Sequence, residues 1–167
     1  MNLPSGVCRY LLVGQVVIPF FINIAVNGIL GMLAYQGQDA VTTWALDKGA
    51  VVDSVGTCFF LPFLTCLIAT PIVRHQTGRG TVPHIPLADV PRWTQLMSGQ
   101  LVLRAVKSGV IGIVVFAGPV CVAYNLFAGE SIETTRFVAI KAIFAAVLGI
   151  LATPLIAYVA MCDKSAM

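Results

Sequence analysis

Few residues in this chain are able to do chemistry, and their placement limits what they can do. Cysteines occur at positions 8, 58, 66, 121 and 162, and histidines at 75 and 84. Thiol–disulfide exchange needs paired, accessible cysteines on an oxidising surface. Cys8, Cys58, Cys66, Cys121 and Cys162 form no C-x-x-C motif, and Cys58 and Cys66 are too far apart on one helix to bridge. They read as small apolar packing residues, which excludes a quinone-linked disulfide oxidase. A membrane haem needs histidines projecting from spans, whereas His75 and His84 fall in a polar loop. As zinc ligands these two lack partners beyond Asp89. No Ser-His-Asp order, P-loop, G-x-S-x-G or H-E-x-x-H is present. Glu130 and Glu133 read as a helix-start feature rather than a catalytic pair. The chain is therefore expected to be no enzyme and to hold no metal and no cofactor.

The polar residues inside apolar runs are more informative, because polar groups in hydrocarbon are costly without partners. Asn23 and Asn27 lie at i and i+4, on the same helix side as Gln15 and Gly31 and close to Gly28. Asn125 lies in a second run, Asp53 and Thr57 begin another, and Lys141 enters the outer third of the last. Asn23, Asn27, Asp53, Thr57, Asn125 and Lys141 form a candidate outward-facing cluster for a small anion or polar solute. The structural account of the same residues is that asparagines bind helices together at ~0.6–2 kcal/mol each while Lys141 snorkels to the surface. No acidic residue lies deep in a span, as an ion-coupled carrier would require.

The elements that must position these residues follow from composition. The chain is 58% hydrophobic and 10% charged, where a soluble domain carries about 25% charge. Lipid is the implied solvent. The runs Tyr10–Tyr35, Ser54–Val73, Ser108–Gly129 and Ala142–Cys162 contain no charge, and each meets the ~20 residues needed to cross a bilayer. The first run is too long for a signal-peptide core and is read as retained. With flanking residues, the spans are expected at about 10–35, 53–73, 108–129 and 137–162, with a loop over 74–107. The whole chain forms one integral membrane domain.

Charge sets the orientation. Arg9, Arg74, Arg79, Arg92, Arg104, Lys107 and Lys164 fall on one side, and Lys48, Arg136 and Lys141 on the other. Positive-inside then makes both termini and the 74–107 loop cytoplasmic. Arg74, Arg79, Arg92, Arg104 and Lys107 are expected at anionic head groups. The net charge of +3 reflects this topology, and no reader fold suggests nucleic acid.

Two echoes suggest a molecule built twice. IATPIV (68–73) resembles LATPLI (151–156), placing Thr70–Pro71 and Thr153–Pro154 near the cytoplasmic ends of spans two and four as paired hinges. Sliding Arg9–Gly31 onto Lys107–Gly129 matches Gly14 with Gly112, Ala25 with Ala123, Asn27 with Asn125 and Gly31 with Gly129. This second alignment is the stronger sign of duplication in the sequence. The expected fold is an all-α four-transmembrane-helix bundle of two pseudo-equivalent hairpins, in a bacterial inner membrane. The expected role is a non-enzymatic accessory or assembly subunit, packing through its Asn and Gly faces as a homo-oligomer or within a larger complex. The alternative is a small oligomeric permease for a polar or anionic solute.

Overall fold

The computed structural model describes residues 7, 9–85, 94, 97 and 99–162. Arg92 and Lys164 lie outside the described residues. Among the described residues four long helices follow in order: α1 (Tyr10–Ala34), α2 (Ala50–Gly78), α3 (Leu101–Phe127) and α4 (Thr134–Met161). Each is long and apolar enough to cross a membrane, the make-up of a multi-pass membrane protein. Their 25 to 29 residues span roughly 38–44 Å at 1.5 Å per residue, more than the ~30 Å hydrocarbon core. The helices run past the charge-free stretches at both ends of α2 and at the start of α3, leaving 79–100 as the middle connection.

Outward faces are apolar throughout, with Phe21, Leu30, Val114 and Leu126 all exposed. In water this would be an aggregating surface; in lipid it is the ordinary exterior. Helix is the economical state there because it satisfies each backbone group within its own segment. Tyr10–Val17, the first part of α1, is wound as a π-helix. Prolines 62, 71, 119 and 154 lie inside helices that continue through them. After α2, Gly80 takes φ +71° while the amides of Thr81 and Val82 donate to the Gln76 carbonyl at 3.0 and 3.4 Å. Glycine makes this left-handed helix stop without a Cβ clash.

The principal packings are α1 on α4, α4 on α2, and α2 on α3. Thus α2 and α4 form the centre of the layer and α1 and α3 its edges. Small residues allow the close approaches. A Cβ on Gly31 would lie 3.1 Å from a Val138 methyl, and one on Gly109 2.7 Å from the Phe59 ring. A Cβ on Gly112 would collide with the Cys58 carbonyl oxygen. That carbonyl is the one Pro62, four residues on, leaves without a helical donor. The bare backbone of Gly112 occupies the space beside it.

One feature lies outside an all-α expectation. Ala40–Thr42 (β1) pairs antiparallel with Ser131–Glu133 (β2), with Ala40 opposite Glu133, Val41 opposite Ile132 and Thr42 opposite Ser131. Val41 and Ile132 turn inward and are buried, while their neighbours are exposed. Together with Tyr35, Phe137, Val138 and Tyr124 they close an apolar cluster over the helix ends on that side. Two further bonds extend the ladder. The Thr43 amide donates to the Glu130 carbonyl at 2.9 Å, and the Thr134 amide to the Asp39 carbonyl at 3.0 Å.

Candidate functional site

The polar residues gather beneath this cap. Asp53 lies in the first turn of α2, where a carboxylate is favoured by the helix dipole. Lys141 lies two turns into α4 and is buried. The Lys141 Nζ donates to Asp53 Oδ1 at 2.8 Å and stands 2.6 Å from Oδ2. Side-chain exposures are 10% for the lysine and 24% for the aspartate. Asp53 Oδ2 is itself shielded and makes no hydrogen bond of good geometry, so its contact with Lys141 is ionic. The pair joins the two central helices, one from each hairpin.

A second bond ties the same level of α2 to α3. Ser54 and Tyr124 share a hydrogen bond of 2.9 Å between buried hydroxyls. Tyr35, at the end of α1, packs edge-on against Phe137 of α4 with ring centroids 5.1 Å apart. Thr57 donates back to the Asp53 carbonyl at 2.9 Å. All four helices thus meet at one level through polar or aromatic contacts.

The expected six-residue cluster is brought together only in part. Asp53, Thr57 and Lys141 converge. Asn23 instead donates to the Pro19 carbonyl on its own helix at 2.9 Å, and Asn27 to the Asn23 carbonyl at 3.0 Å. Asn23 Nδ2 also stands where a Cβ on Gly149 of α4 would lie. Asn125 is exposed near the end of α3. Neither the expected solute vestibule nor interhelical asparagine bonds describe these three residues, and Lys141 finds an acid inside the bundle rather than the surface.

A shallow cavity of about 340 Å³ lies beside the site, between the end of α3, β2 and the start of α4. Tyr124, Phe127, Ser131, Glu133, Arg136 and Ile140 contribute to its wall; Asp53 and Lys141 do not. Among the described residues no group of three or more His, Cys, Asp or Glu could hold a metal ion.

At the opposite end Arg79 is exposed and Arg74 and Lys107 are half-buried. Arg104, expected at the head groups, is buried at 1% exposure. Its place on the inward face of α3, beside Ala105 and Ser108, accounts for this. Thr70 and Thr153 are both buried. Thr70 Oγ1 lies 3.6 Å from Cys66 Sγ, and Thr153 Oγ1 makes no hydrogen bond. Each Thr-Pro occupies a corresponding place, with its proline seven residues before the helix end at Gly78 or Met161.

Two elements escaped the sequence reading. Asp53 and Lys141 are placed in one cluster by the sequence, but their direct pairing is not, because the partners lie 88 residues apart. The strand pair had a signal in DAVTT (39–43) and ESIETT (130–135), each with an acid, a β-branched residue and a threonine at alternate positions. Comparison with protein-family models, curated proteins and solved structures finds no match.

Proposed function

We propose that this chain is a multi-pass protein of the bacterial inner membrane, with both termini cytoplasmic, acting as a non-enzymatic accessory or assembly component. The observation that carries the reading is the internal use of its polar groups. Asp53 neutralises Lys141, Ser54 binds Tyr124, and Asn23 and Asn27 return to their own backbone. These groups brace a fold rather than await a solute. The edge helices α1 and α3 then present broad apolar faces to a second copy or to another membrane protein. Orientation rests on charge: Arg9, Arg74, Arg79, Arg104 and Lys107 lie at the end opposite the cap. Arg9, Arg74, Arg79 and Lys107, unlike the buried Arg104, have anionic head groups as their companions at that end.

The pseudo-equivalence of the hairpins is part of the proposal. Exchanging α1 with α3 and α2 with α4 converts the packing of α1 on α4 into that of α3 on α2, and leaves the α2–α4 contact unchanged. The same exchange maps the Thr43–Glu130 bond onto the Thr134–Asp39 bond. It also maps the Thr43 hydroxyl bond to the Gly129 carbonyl, 2.6 Å, onto that of Thr134 to Gln38, 2.6 Å. This is the relation expected of parallel repeats about an axis along the membrane normal.

The same geometry favours the permease alternative, since an ion pair crossing the interface between repeats is a natural gate. Flux into proteoliposomes separates the readings. The accessory reading expects no movement of small inorganic or organic anions above protein-free vesicles, and migration of the protein in a larger assembly on native electrophoresis. Anion flux lost in Lys141→Met would overturn it in favour of the permease.

A further inference from the structure

The cavity beside the cap, between the end of α3, β2 and the start of α4, has one charge of each sign in its wall, Glu133 and Arg136. Both residues are exposed. Among the described residues neither side chain makes a hydrogen bond or an ion pair, with the other or with any neighbour. On a helix, charges three residues apart would reach each other. Glu133 still belongs to β2, however, with φ −50° and ψ 133°, so that spacing does not pair them. Glu133 is also the N-cap of α4, yet its carboxylate is not turned back onto the helix amides. Two opposite charges thus stand at one cavity with no partner inside the fold.

Away from the cap the walls become apolar. Ile140 lies one turn beyond Arg136 on the same side of α4, and Ala123 one turn before Phe127 on α3. Phe127 and Ile140 are 84% and 42% exposed, so this part of the wall runs out onto the lipid-facing surface. Since α3 and α4 exceed the hydrocarbon core by roughly 10 Å, their ends stand in the head-group layer. The charged part of the cavity lies at that level and the apolar part reaches below it.

The ligand complementary to these walls is narrowly defined. Arg136 offers a fork of donors suited to phosphate oxygens, and the first turn of α4 adds the partial positive charge of a helix N-terminus. A lone anion would meet Glu133, and a lone cation would meet Arg136. A zwitterion satisfies both. A soluble zwitterion, however, would leave the apolar wall uncovered.

We propose that this cavity binds the head group of an aminophospholipid, with the phosphate at Arg136, the ammonium at Glu133 and an acyl chain over Ile140 and Ala123. The inference rests on the membrane reading above and not on the accessory role.

The test is native mass spectrometry of the full chain in mild detergent, equilibrated with phosphatidylethanolamine and phosphatidylglycerol of matched chains. Wild type should retain phosphatidylethanolamine about fivefold better, the factor for roughly 1 kcal/mol from one exposed ion pair. Glu133→Gln should abolish that preference, and Arg136→Gln should lower retention of both lipids. Both substitutions are at exposed positions and leave the fold intact. Equal retention of the two lipids by wild type, a preference that survives Glu133→Gln, or retention unchanged in Arg136→Gln overturns the site. Soluble glycerophosphoethanolamine at equal concentration should not displace the lipid; displacement would overturn the lipid as occupant and assign the cavity to a free solute. A protein that stays in solution without detergent would sink the membrane reading itself, whereas a missing preference in a protein that needs detergent sinks this inference alone.

Discussion

Replacing Lys141 by Met tests whether the ion pair beneath the cap braces the two hairpins. The Nζ lies within 2.8 Å of both Asp53 oxygens, for a gross attraction of ~6 kcal/mol at an effective dielectric of about 20. Most of that offsets desolvation, so the pair's net worth is small. Removing one partner is different, because it leaves a carboxylate stranded. The usual cost is about 3–5 kcal/mol for a fully buried group. Asp53 keeps 24% of its side chain exposed and is partly resolvated, so about 2–3 kcal/mol is expected. For a chain of this length that is roughly 4–12 °C in Tm, read by circular dichroism in one fixed detergent at neutral pH. Adding Asp53→Leu should restore stability to within ~1 kcal/mol of wild type, because an apolar pair replaces a buried ionic one at little loss. A Lys141→Met variant as stable as wild type, or a double variant no better than the single, would refute the brace and return Lys141 to the surface.

Other consequences follow from single contacts. Thr42→Cys with Ser131→Cys places thiols at a directly opposed, outward-facing pair of the cap. It should form a disulfide in cells without added oxidant if the cap faces an oxidising compartment, as a gel-mobility shift on reduction will show; reduced thiols in intact cells would count against the orientation. Gly112→Ala drives a Cβ into the Cys58 carbonyl and should cost at least the ~1–3 kcal/mol of overpacking, measured as a Tm loss clearly larger than that of Gly118→Ala, where nothing lies nearby. Tyr124→Phe should cost about 1 kcal/mol through the orphaned Ser54 hydroxyl, and combining it with Ser54→Ala should add little. Asn27→Ala should change stability by less than ~0.5 kcal/mol, since its bond is to its own helix; a larger loss in the same assay would reinstate it as a link between helices.

What the sequence made legible was the part of the fold dictated by solvent. Four charge-free runs became four helices because in lipid a helix satisfies every backbone group within its own segment. Pairing between helices was not legible, since the apolar faces of α1 and α3 look alike to any partner and the choice is made by small local fits. Gly112 against the Cys58 carbonyl, with Pro62 freeing that carbonyl, is one such fit, and neither residue announces the other in the sequence. For the site, Asp53, Thr57 and Lys141 were singled out by depth and polarity. Asn23, Asn27 and Asn125 were singled out by the same rule, yet depth alone does not say whether an amide will turn to a neighbour or to its own carbonyl.

The two internal echoes exchange weight once placed on helices. Matching Gly31 with Gly129 aligns a buried glycine inside α1, packed on Val138, with an exposed glycine beyond the end of α3. Asn27 and Asn125 likewise stand at different distances from their helix ends, Ala34 and Phe127. That alignment collects residues of like type but not of like position. The shorter Thr-Pro echo is positional: the offset of 83 that carries Pro71 onto Pro154 also carries Gly78 onto Met161. The cap is positional too, but at an offset of 91. The change from 91 to 83 leaves eight residues of the first hairpin, 44–51, without a counterpart: those between cap and helix and the first two of α2, where the second hairpin goes directly from β2 into α4. An insertion in a surface loop is the cheapest way for two copies to drift apart. The edge helices, which face mostly lipid, keep only hydrophobicity under constraint. On the proposed pseudo-equivalence, the likeness between hairpins is carried where backbone bonds and central packing fix position, at the cap and along α2 and α4, and is lost where lipid accepts any apolar side chain.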